Sequence, residues 1–264
     1  MGNKFSARFA CAAVALLAIA LPAKAAVKMQ TVDYKIGGAD FEGYLAYDDA
    51  KQGKRPGVLV VPAWTGTSDN EKEHAERLAK LGYVAFIADV FGKGVHPKPG
   101  KEAAAESKKY LDDRALYRDR VKAALDQLSK NPMVNAKKLA AIGYCFGGAG
   151  ALELARSGAP LDAVVVFHSD LSTPTPDDAK NIKAHVLALQ GGDDPVVPEA
   201  AVQAWEKEMR DAHVDWQLVA YSNTVHAYTD KSAGSDNSKG AAYNAESEKR
   251  SWIAMRDFFT ENLR

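Results

Sequence analysis

The chain has 264 residues, 34 Lys plus Arg against 34 Asp plus Glu, and 47% hydrophobic residues. The length suits one large α/β domain with a substantial core. The even charge balance gives no basic surplus of the kind a nucleic-acid partner would call for.

The first segment, "MGNKFSARFACAAVALLAIALPAKA", places Lys4 and Arg8 before an apolar run from about Phe9 to Leu21, then Ala23-Lys24-Ala25. Basic, apolar and small-residue regions in that order predict a secretory signal peptide over residues 1–25. The apolar run is shorter than the roughly 20 residues that span a bilayer, and no second candidate span follows. The expectation is an exported protein, periplasmic or secreted, with no stable membrane span after cleavage. Removing 1–25 leaves 31 basic against 34 acidic residues, with residues 26–264 as a single domain.

In chain order, "TVDYKI" and "FEGYLAY" flank the turn "GGAD" and predict an antiparallel hairpin. "GVLVVPAW" is a short continuous apolar run, the pattern of a strand buried in a parallel sheet. "SDNEKEHAERLAKLG" predicts a helix capped by Ser68 or Asp69 and ended at Gly82. "YVAFIADV" is the next strand, "FGKGVHPKPG" a loop, and Lys101 to about Leu128 one long helix. Then follow "KLAAIGY" (strand), "GGAGALELARSG" (helix), "LDAVVVFHS" and "AHVLALQGG" (strands), "PEAAVQAWEKEMRDA" (helix) and "VDWQLVAY" (strand). Residues 243–263 predict a last helix with Trp252, Met255, Phe258 and Phe259 on its apolar face. Strands alternating with helices predict a mostly parallel sheet covered on both faces, with the hairpin as an antiparallel edge.

The chemistry concentrates at "IGYCFGGAG", residues 142–150. Of two cysteines, Cys11 leaves with the signal peptide, so Cys145 stands alone in an oxidising compartment where structural thiols would be paired. One cysteine builds no zinc thiolate cluster. Gly143-Tyr144-Cys145-Phe146-Gly147 fits the nucleophile elbow G-x-nucleophile-x-G, with cysteine in the usual serine position. The glycines permit close backbone approach at a strained strand-to-helix turn, and the following helix points its positive end at the thiol. Such an architecture needs an acid and then a histidine later in the chain. "LALQGGDDPVVPEA" offers Asp193 or Asp194, of which Asp194 beside Pro195 is preferred, and "VAYSNTVHAYTD" offers His226. Oxyanion donors are expected from the N–H of Phe146 and, after "GVLVV", that of Trp64 or else Thr65. No metal or organic cofactor is called for. His96 and His168 lie near the expected mouth, and residues 229–240 form a polar rim beside His226.

Together "GYCFGG", "GGDDPVVP" and "VHAYT" resemble the dienelactone hydrolase family over roughly residues 30–262. "ADVFGKG", "FHSDLSTPTP" and "AYNAESEKRSWIAMRDFF" agree. The resemblance implies an α/β-hydrolase fold, a Cys145–Asp194–His226 triad and an oxyanion donor at Trp64. One residue departs from the pattern: Ala63, in "VVPAWTG", stands where family members usually carry a glutamate that holds the resting thiol. Activation then falls to His226 alone or to an acid such as Asp69, Glu71 or Asp170. The arginines that hold a lactone carboxylate in the family have only Lys93, Lys98 and Arg114 as candidate counterparts. The expected function is hydrolysis of a small-molecule ester or lactone through an acyl-thioester, ahead of a weakened ligand-binding or thiol redox-sensing relative.

Overall fold

A computed structural model describes residues 1–2 and 26–263. The signal-peptide expectation falls on residues 3–25, outside the described residues. Among those described, no helix is long and apolar enough to cross a membrane.

One eight-stranded sheet organises the chain. Its strands are β1 (Val27–Ile36), β2 (Ala39–Asp48), β3 (Arg55–Val61), β4 (Val84–Ile87), β5 (Val134–Tyr144), β6 (Ala163–Phe167), β7 (His185–Gly191) and β8 (Trp216–Tyr221). Their spatial order is β1-β2-β4-β3-β5-β6-β7-β8. The hairpin β1–β2 is antiparallel with Ile36 opposite Ala39, and β2 meets β4 antiparallel. Every other pairing is parallel. The two-residue turn is Gly37-Gly38, both at positive φ, as a turn matching the twist of its strands requires.

Among the described residues, six α-helices cover the sheet: α1 (Asp69–Leu81), α2 (Lys101–Asp112), α3 (Arg114–Lys130), α4 (Phe146–Arg156), α5 (Glu199–Asp211) and α6 (Ala245–Asn262). Alternate strand residues serve the two faces. Leu59 and Val61 of β3 join the core built with α3, α4 and α5. Val58 and Val60 join the core built with α1 and α6, where Trp252, Met255, Phe258 and Phe259 are buried as their spacing predicts.

The long helix expected from Lys101 is two. Asp113 leaves helical geometry at φ −116° and ψ 87°, and its side chain accepts the Leu116 N–H at 2.9 Å. A capping aspartate offers the backbone an alternative to continuing the helix, and it restarts here as α3.

Because β3, β5, β6, β7 and β8 run parallel, their carboxyl ends share one edge of the sheet. The segments bearing Trp64, Cys145, His168, Asp194 and His226 each follow one of these ends. That edge is where open α/β sheets place their ligands.

Candidate active site

Cys145 links β5 to α4 at φ 53° and ψ −120°, a left-handed conformation that costs a non-glycine residue about 1–3 kcal/mol. Its surroundings enforce that conformation. The Cys145 N–H donates to the Phe167 carbonyl at 3.0 Å, and its carbonyl accepts the Gly148 N–H at 3.1 Å. A Cβ on Gly143 would lie 2.2 Å from the Gly147 carbonyl oxygen, and one on Gly147 would lie 2.2 Å from that of Val61. The glycines therefore let strand, elbow and the end of β3 meet backbone to backbone. Tyr117 of α3 stacks on Phe146 at 4.6 Å between ring centroids, and its hydroxyl donates to the Phe146 carbonyl at 2.9 Å. No motif marks Tyr117 in the sequence: it lies 29 residues before Phe146 among ordinary core positions of α3.

The thiol is free and half-buried. Its sulfur lies 3.0 Å from His226 Nε2, and His226 Nδ1 lies 2.8 Å from Asp194 Oδ2. Asp194 is buried, and its other oxygen accepts the N–H groups of Val196 at 2.8 Å and Val197 at 3.2 Å. Asp193 is exposed, and its backbone N–H pairs with Thr224. Geometry thus selects Asp194 of the two. His226 is held from behind: its N–H donates to the Gly240 carbonyl, and its carbonyl accepts the Ala242 N–H. Burial alone would push the His226 ring down, but hydrogen bonds to Asp194 and Cys145 and their negative charge hold it up to about 10.

His168, at positive φ after β6, is buried with its ring 5.0 Å from that of His226 and nearly perpendicular to it. Its Nε2 pairs with the Thr229 hydroxyl at 2.8 Å. Burial, then the neighbouring His226 charge, hold it well below the usual histidine range. His96, by contrast, is exposed in a loop beside Glu42 and Tyr44. Lys93 is paired with Asp33 and Glu42 at the hairpin, and Lys98 is exposed. Arg114 lies beside Ser172 and Asp170.

The rim at 229–240 contains two short 3-10 turns, Lys231–Ala233 and Asn237–Lys239. Lys231 Nζ reaches both carboxylate oxygens of Glu73 on α1, at 2.8 and 2.9 Å.

Phe146 is the first residue of α4, so its N–H has no intrahelical acceptor. On the facing loop, the Ala63 carbonyl accepts the Gly66 N–H at 2.9 Å, closing a turn whose central residues are Trp64 and Thr65. The N–H groups of a turn's central residues take no part in its closing bond. Of the three candidate acids, Asp69 is exposed and Asp170 accepts the N–H of its own loop residue Ser172. Glu71 is buried and accepts the Ala63 N–H. Among the described residues no cluster of His, Cys, Asp and Glu has metal-binding geometry. A cavity of about 630 Å³ lies away from the thiol, between α3 and the end of α4, against Arg118, Lys122, Leu125 and Pro160.

The sequence model of the dienelactone hydrolase family matches residues 41–263. The chain belongs to the dienelactone hydrolase family. Two solved structures accompany this hydrolase at 42% identity: m3DLH, with a TM-score of 0.87 over 90% of this chain and 99% of that one, and a dienelactone hydrolase-like promiscuous phosphotriesterase, P91, from metagenomic libraries, at 0.85 over 90% and 100%. A Bradyrhizobium protein named as a probable 2-oxo-3-(5-oxofuran-2-ylidene)propanoate lactonase is 29% identical over 76% of the hydrolase and 84% of its own length. The mixed sheet with its antiparallel hairpin is the α/β-hydrolase architecture of these relatives.

Proposed function

We propose that this chain hydrolyses carboxylic esters or lactones through an acyl-thioester on Cys145. The observation that carries the reading is the unbroken line from Cys145 Sγ through both His226 nitrogens to Asp194. An imidazolium 3.0 Å from the sulfur provides the countercharge for a thiolate. The sulfur attacks the acyl carbon, and the carbonyl π pair moves to oxygen. That oxyanion is met by the N–H of Phe146 and of Trp64. Collapse breaks the bond to the leaving oxygen, which takes the proton from His226. His226 then removes a proton from water as it attacks the thioester, and the acid departs as sulfur regains its electron pair. Asp194 holds one ring orientation and stabilises its charged form. Ala63 provides no side-chain proton acceptor, Asp69 is exposed, and Glu71 and Asp170 are engaged by loop donors, so activation of the thiol falls to His226.

Export is part of the proposal, supported by the basic, apolar and small-residue order of residues 1–25. Intact mass of the protein recovered outside the cytoplasm is expected to begin at Ala26; a full-length N-terminus there would contradict it.

Turnover of nitrophenyl esters, simple enol-lactones and an aryl phosphotriester tests the function and sorts the substrates, the last because of the likeness to P91. Replacing Cys145 or His226 by Ala is expected to lower kcat/KM at least about 10²-fold. Turnover unchanged in Cys145→Ala would rule the mechanism out. A weakened, merely ligand-binding relative would show binding with no wild-type turnover.

A further inference from the structure

Glu71 occupies an unusual place for a helix-capping carboxylate. It is the third residue of α1 and completes a capping box with Ser68. A capping box needs the carboxylate to reach only the N-cap residue, and on an exposed helix end it works from water. Here the group is 1% exposed. Among the described residues, no Lys or Arg forms an ion pair with it; its side-chain bonds are to three donors. Oε2 accepts the Ser68 N–H at 2.9 Å and the Ser68 hydroxyl at 2.6 Å, and Oε1 accepts the Ala63 N–H at 3.3 Å.

Ala63 and Ser68 bracket the turn that carries Trp64. One carboxylate therefore grips that turn at both ends, from the side of α1. The bond to Ala63 adds nothing to capping, because Ala63 lies outside the helix, just past the end of β3. Burying an ionisable group costs free energy, and burial raises Glu71 above the ordinary glutamate range. On its other side the loop abuts the elbow, where Gly147 packs against the carbonyls of Val61 and Pro62. Two contacts therefore bear on the loop that carries Trp64: glycine against the end of β3, and Glu71 against Ala63 and Ser68.

We infer that Glu71 is a positioning residue that fixes the oxyanion loop, holding the Trp64 N–H where the reacting carbonyl oxygen becomes charged. This rests on the reading of Trp64 as an oxyanion donor in an ester hydrolase. A displaced donor weakens transition-state stabilisation without changing the sulfur's own reactivity, which separates this role from general support of the fold.

The test uses the purified chain with Glu71→Ala, Glu71→Gln and Ser68→Ala. Two rates are compared: nitrophenyl acetate hydrolysis, which passes through an oxyanion, and alkylation of Cys145 by iodoacetamide. In the alkylation, sulfur displaces iodide from a saturated carbon, and no oxyanion forms. Glu71→Ala is expected to lower kcat about 10- to 100-fold, with KM within about threefold. Its alkylation rate is expected to stay within about twofold of wild type. Glu71→Gln presents an amide N–H₂ where one acceptor was and is expected to lose about 3- to 10-fold in kcat. Ser68→Ala removes the hydroxyl's bond while the backbone N–H groups of residues 63 and 68 stay held, so its loss is expected to be smaller than that of Glu71→Ala.

If Glu71→Ala does not fold, the near-isosteric Gln variant decides. A folded Glu71 variant with wild-type kcat overturns the inference, as does an alkylation rate that falls in step with kcat. Wild-type protein that is alkylated but hydrolyses no ester overturns the proposed function instead, and the inference with it.

Discussion

His226 spans Cys145 and Asp194 with its two ring nitrogens, and its protonation couples the site to folding. Its pKa is raised from 6.5 to about 10 in the folded chain. A raised pKa means that the native state binds the proton more tightly than the unfolded chain. The stabilisation is therefore fully present below about pH 6.5 and is lost as pH rises through about 10. Melting temperature measured from pH 6 to 10.5 is expected to fall across that window, and Asp194→Asn is expected to flatten the fall. An unchanged slope in that variant would mean that Asp194 does not hold the ring charged. Cys145→Ala removes a second cause of the shift. By NMR titration, His226 in that variant is expected to move down from about 10; an unmoved value would contradict the sulfur's share.

Among elements, the β5–α4 joint depends on glycine for contact rather than for turning. A Cβ on Gly147 would meet backbone oxygens of Val61 and Pro62 at 2.2 and 2.4 Å, atoms that no rotamer change moves away. Gly147→Ala is expected to cost more than about 3 kcal/mol in denaturant unfolding and to abolish turnover. A stable, active variant would show that the elbow and β3 do not touch as described. This joint was readable in the sequence because its requirements are local: glycines at fixed offsets from one cysteine, between an apolar run and a helix. Asp194 and His226 follow as candidates from strand ends and their order along the chain, and the fold brings the two side chains within 2.8 Å. Between Asp193 and Asp194 the sequence offers no distinction beyond the neighbouring Pro195; only the fold buries Asp194, gives it two backbone N–H groups and brings it to His226. Contacts between distant elements had no sequence signal. Tyr117 under Phe146 and Thr229 on His168 join residues 29 and 61 positions apart, and ordinary packing residues carry no mark of their partner. The break at Asp113 was missed because helical periodicity runs through it, while the capping bond that interrupts it is a single side-chain choice.

At the scale of the molecule, a buried ionic network ties the helices of one face together behind the site. Arg156 at the end of α4 is fully buried and pairs with Glu153, and with Glu208 of α5 at 2.7 and 2.8 Å; Arg118 of α3 also reaches Glu153. Removing one partner of such a set leaves charge without compensation. Arg156→Met is expected to destabilise by about 3–5 kcal/mol in denaturant titration, whereas Arg156→Met with Glu208→Leu is expected to recover part of that loss. No recovery in the double variant would mean that packing, not charge, is what Arg156 provides. The frame so held keeps six parallel strands ending on one edge, where the sulfur, imidazole and carboxylate meet beside the proposed oxyanion donors. The central claim is that this meeting produces covalent catalysis by Cys145, and intact-mass spectrometry of the chain quenched during turnover of an ester and a lactone tests it most directly. A mass increase equal to the acyl group, localised to Cys145 and absent from Cys145→Ala, is expected. Steady turnover by Cys145→Ala at the wild-type rate, or an acyl group carried on another residue, would contradict it.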